Sequence, residues 1–75
     1  MFKEHDSVVL TEDIPEKGLK AGDIGAIVDA AQSGEAFLLE FVAYDGDTVA
    51  LVEVTPSQIR PAGAGDIPHA RRFVA

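Results

Sequence analysis

Three glycines in eight residues, Gly18, Gly22 and Gly25, lead into the apolar run of "GLKAGDIGAIVDA", with Lys20 between them. A phosphate cradle needs such glycines after a strand and before a helix, and a hydroxyl residue behind them to complete the anion site. Here they precede a strand pattern and no Ser or Thr follows the last of them, so the nucleotide reading falls away. The other chemistry-bearing residues are scattered. His5 and His69 are the only side chains that titrate near neutrality without help, and their positions do not bring them together. Asp66 and His69, three apart, would share one face of a helix and offer a weak metal site; a capping Asp beside an exposed His is the better account. Ser7, Ser33 and Ser57 stand in no G-x-S-x-G elbow. The acidic pairs Glu12 with Asp13 and Asp45 with Asp47 fall in loop-like stretches, where water keeps carboxylates ordinary. With no catalytic residue, cofactor or metal ligand singled out, the chain is expected not to be an enzyme.

Composition sharpens this. The chain has 75 residues, no cysteine, and 13 acidic against 6 basic residues, a formal charge of −7. A chain this short builds one core, and without disulfides or thiolate zinc its usual remaining aid is association with another subunit. Net negative charge repels phosphate backbones, which bind clustered Lys and Arg. Only Arg60, Arg71 and Arg72 leave room for a weak nucleic-acid contact at the C-terminal side. The charged start "MFKEHDSVVL" lacks a leader pattern, no apolar run is long enough to cross a bilayer, and cysteine is absent, which together lead us to expect a cytoplasmic protein.

Positioning elements follow from period and punctuation. "SVVLTEDI" (7–14) reads as a strand entering a loop, "EDIPEKGLKAGD" as an exposed loop, "IGAIVDA" (24–30) as the second strand and "AFLLEFVAY" (36–44) as the third. "DGD" (45–47) marks a hairpin into "TVALVEVT". One tight helical turn is expected at Pro56–Gln58, before a short fifth strand at Ile59–Arg60. "GAG" (63–65) reads as a joint, and "DIPHARRFVA" as a short helix with Asp66 as N-cap and the arginines at its far end. The expected architecture is all-β: a small five-stranded SH3-like barrel (1–62) with a joint and short C-terminal helical tail (63–75). Within it the glycines have a structural role: Gly18 and Gly22 supply positive φ, and Gly25 allows a sharp bend or a close approach.

"AGDIGAIVDA" resembles the glycine turn and strand of SH3-like barrels, including the KOW motif of ribosomal and transcription-elongation proteins. KOW-type RNA binding is not implied, because Lys17 and Lys20 sit beside Glu12, Asp13, Glu16 and Asp23. More specifically, "VVLTEDIPEKGLKAGDIGAIV", "EFVAYDGDTVALVEV" and "SQIRP", with the ending "DIPHARR", resemble the small bacterial family of domain of unknown function 4926. The resemblance implies a five-stranded SH3-like barrel and brings no activity. SH3-like barrels of similar type also occur in the nitrile hydratase β-subunit, so an accessory role beside an enzyme is the alternative function.

Surface is what remains. Phe37, Leu39 and Phe41 make one face of the third strand apolar, and Ala36, Leu38 and Val42 make the other apolar too; Val49 and Leu51 oppose Ala50, Val52 and Val54 on the fourth. A lone small barrel buries only its inside. The second face should therefore be covered, either by Ile67, Ala70, Phe73 and Val74 of the tail or by another copy, with tail exchange through "GAG" a further route. The expected function is a non-catalytic protein-interaction module, self-associating, with Leu38, Val42, Ile67, Phe73 and Val74 as its contact residues.

Overall fold

The computed structural model describes residues 2–74. Five strands, β1 (Ser7–Leu10), β2 (Ile24–Ala30), β3 (Phe37–Val42), β4 (Thr48–Val54) and β5 (Ile59–Pro61), form one antiparallel sheet in the order β4-β3-β2-β1-β5. Two 3₁₀ turns, Pro15–Lys17 and Pro56–Gln58, lie in the β1–β2 loop and ahead of β5. The all-β expectation with five antiparallel strands holds, and β1 to β4 run as a meander, but the sheet does not close into the expected barrel. The ladder is open, with β4 and β5 at its two ends. β5 spans only three residues and ends on Pro61, which has no N–H to extend pairing.

Alternation explains the core. On β3, Phe37, Leu39 and Phe41 are buried while the residues between them face out. They meet Val52 and Val54 of β4, Val8 and Leu10 of β1, Ile27 of β2 and Ile59 of β5. β2 carries a bulge between Ile27 and Asp29. Sequence alternation puts Ile27 and Asp29 on one face, but the extra residue, Val28, resets the pleat, so Ile27 is buried and Asp29 exposed.

The loop read as wholly exposed is partly core. Ile14 and Leu19 exchange backbone hydrogen bonds of 2.9 and 3.1 Å across the first 3₁₀ turn, and both are buried in the main cluster. The loop is also tied to the second 3₁₀ turn. Thr11 N–H donates to the Gln58 carbonyl at 2.9 Å, its hydroxyl donates to the Ser57 carbonyl, and the Gln58 amide nitrogen donates to Glu12. The expected tight turn at Pro56–Gln58 thus serves as an anchor for distant backbone.

The expected helical tail is absent: residues 67–74 are irregular, and Ala75 lies outside the described residues. Ile67 precedes Pro68, which pushes it out of the helical region. What remains is too short to hold a helix in water. Asp66 does not cap a helix. Its carboxylate accepts from Gly63 N–H at 2.6 Å and takes both Arg60 guanidinium nitrogens at 3.0 Å, closing the 63–66 segment as a turn. With no helix, Asp66 and His69 do not share a helical face.

Candidate interaction site

The five residues expected to make contacts fall into separate places. Leu38 and Val42 lie on the outer face of β3, where the register sets Leu38 beside Glu53 and Glu40 beside Leu51. Leu38 is half-buried, whereas Val42 and Leu51 are 55% and 50% exposed. Glu40, between Leu38 and Val42, accepts a hydrogen bond from the Thr48 hydroxyl. Ile67 is 88% exposed and Val74 72%, so neither covers this face. Intramolecular cover by the tail, one of the two expected solutions, is therefore not what the tail does.

The tail docks on the β1–β2 loop instead. Arg71 donates from Nε and Nη2 to the two carboxylate oxygens of Asp23, at 2.9 and 2.5 Å, and from Nη2 to the Gly18 carbonyl at 2.9 Å. Phe73 is half-buried, its ring against Gly18: a Cβ on that glycine would stand 3.1 Å from Phe73 Cε1 and from the Val74 carbonyl oxygen. Gly18 has φ +71°, a conformation that side chains disfavour. Asp23 is set for its partner by Lys20, whose N–H donates to the carboxylate at 2.8 Å. Beside this contact runs an open groove of about 380 Å³ between Asp13, Pro15, Leu19 and Lys20 of the loop and Arg72 and Val74 of the tail.

This site was not legible in the sequence. Asp23 and Arg71 are 48 residues apart, and a bidentate pair at that distance leaves no local signal. The apolar character of Phe73 and Val74 points to Phe73 without revealing its seat.

The family model described as Domain of unknown function (DUF4926) matches residues 4–61. The chain belongs to this family. No curated protein and no solved structure matches it. The match takes in all five strands of this DUF4926 domain, and with them Gly18 and Asp23, but stops short of Arg71, Phe73 and the "DIPHARR" ending. No helix among the described residues is long and apolar enough to cross a membrane.

Two of the three C-terminal arginines are committed to carboxylates, Arg60 to Asp66 and Arg71 to Asp23. The basic patch considered for nucleic acid is thereby mostly neutralised in the DUF4926 domain. Ser33 accepts from Glu35 N–H in a turn, and Ser57 shares a hydrogen bond with Thr55. Among the described residues no three His, Asp or Glu side chains converge as a metal site.

Protonation should release the tail in steps. Partial burial raises the Asp23 pKa, but hydrogen bonds from Arg71 and from Lys20 N–H, with the Arg71 charge, outweigh it and hold the carboxyl below 3.8. The Arg60 hydrogen bonds, then Gly63 N–H, lower Asp66 to about 2. Both contributions are complete above the ordinary value of 3.8 and vanish as pH falls through the folded values. An NMR titration downward from pH 4 should move the amides of Gly18 and residues 66–74 before the strand amides. Simultaneous loss of both sets would show that the tail is no separate unit.

Proposed function

We propose that this DUF4926 domain is a non-catalytic protein-interaction module that self-associates through the outer face of β3 and β4. The observation that carries this reading is the pair Val42 and Leu51, about half exposed on neighbouring strands, next to an edge strand of seven residues, TVALVEV. An edge of that length, free of Pro and Lys, is the kind of template to which another strand adds. Its backbone takes no hydrogen bonds from loops or termini among the described residues. The finer fold reading is a sheet of the SH3-like barrel type. Support for it comes from the four-strand meander and from the 3₁₀ turn that returns the chain to β1. An accessory role beside an enzyme would use the same surface, with a different occupant.

The formal charge of −7 opposes pairing of like copies at low salt. Light scattering on the eluting protein at high micromolar concentration should therefore show a dimer that strengthens as salt is raised. Leu51→Lys should weaken it roughly tenfold or more, about 1.4 kcal/mol of association free energy, with little change in melting temperature. A monomer at every salt concentration would refute self-association.

A further inference from the structure

The strip from Gly18 to Asp23 is organised for a guanidinium followed by a ring. The Asp23 carboxylate is oriented by Lys20 N–H, the Gly18 carbonyl faces the same guanidinium, and Gly18 itself leaves a floor without a side chain where Phe73 lies. We propose that this strip is a docking seat for a partner protein's segment carrying an arginine two residues ahead of an aromatic residue, and that the chain's own Arg71-Arg72-Phe73 is the occupant such a segment displaces.

Three observations support it. The recognition is geometric rather than merely electrostatic, because a planar guanidinium sets two N–H groups side by side on the two carboxylate oxygens while also reaching a carbonyl, a fork that an ammonium does not match. The resident hold is limited to one partly buried ion pair and a half-buried ring, with Val74 still 72% exposed. A tethered segment competes only at an effective concentration on the order of mM, and once it leaves, Asp13, Pro15, Leu19 and Lys20, which line one side of the groove beside it, are open to an incoming chain. Charge selects the source. The loop carries Glu12, Asp13, Glu16 and Asp23 against Lys17 and Lys20, on a chain of −7, so a basic foreign segment is drawn in while a second copy is repelled at long range. The seat is built from other residues than the β3–β4 face and stands whether or not that face self-associates.

The test is fluorescence anisotropy with a labelled peptide of the sequence of residues 66–74, titrated into the 75-residue chain and into its Arg71→Ala variant, whose tail has lost its clamp. The variant should bind roughly tenfold or more tightly than the unaltered chain. Lysine in the peptide at the position of Arg71, or Asp23→Asn added to the variant protein, should each cut that binding by a similar factor. Asn keeps an oxygen for Lys20 N–H, and a thermal melt confirms that the loop has survived. Equal binding by the two proteins, indifference to lysine, or no binding by the variant at about 1 mM peptide would overturn the proposal. So would a dimer that Arg71→Ala dissolves, since the seat would then belong to a second copy's tail. Peptide binding retained in a Leu51→Lys chain that no longer dimerises separates this surface from the outer face.

Discussion

Replacing Phe37 with alanine should remove about 3–5 kcal/mol of stability, which is most of what a domain of this length holds, roughly 4–11 kcal/mol. Phe37 is the largest of the fully enclosed side chains and belongs to the core cluster. Its ring also takes the edge of Phe2 at 5.5 Å with the planes 73° apart, an arrangement that adds to the burial itself. So small a core has few neighbours able to collapse into the gap. Guanidinium unfolding followed by far-ultraviolet circular dichroism reads the loss directly. Tyrosine fluorescence is a poor reporter, because Tyr44 is fully exposed. A drop of less than about 1 kcal/mol, the range of ordinary surface changes, would show that Phe37 is not central.

Gly25→Ala should lower stability by about 1–3 kcal/mol, against the trend for its type. Alanine in a strand interior is usually better than glycine by roughly 0.5–1 kcal/mol. Here the added methyl would stand 2.8 Å from Cε2 and 2.9 Å from Cζ of Phe41, whose ring lies over the glycine from the facing position on β3. For a domain this size each kcal/mol moves the melting temperature by about 4–8 °C, so a clear fall is expected. Phe41→Leu in the same chain should make the second change less costly than it is alone, since the two sites share one contact. A rise in melting temperature for Gly25→Ala would remove the ring from that place.

Much of the sheet was legible, and the reasons are local. The alternation in Phe37, Leu39 and Phe41, the Asp45-Gly46 turn with φ +95° at Gly46, and the span Ile24–Ala30 all follow from period and punctuation. Its place inside a strand marks Gly25 as a site of sharp bending or close approach, but the identity of the approaching group, an aromatic ring rather than backbone, depends on register that no single strand encodes. The bulge at Val28 and the inward turn of Ile14 and Leu19 are tertiary choices made by the core. Of the candidate contact residues, Leu38 and Val42 fell where alternation put them. Local signals place Asp66 at a helix end, while its carboxylate is drawn to Arg60 and Gly63. The tail's docking partner, Asp23, was visible only as one more acid in a charged loop.

The pairing of β1 with both β2 and β5 has a consequence for how the chain acquires its shape. Val9 stands opposite Ile24 on one side and Arg60 on the other, so the first strand is completed by almost the last residues of the sheet. Such distant pairings slow folding, because the intervening chain must be ordered before they form. On a ribosome, the nascent domain should wait until residue 61 has cleared the exit tunnel, with β2, β3 and β4 available as a provisional meander. A chain halted before β5 should stay sensitive to protease, and one halted well beyond it should resist.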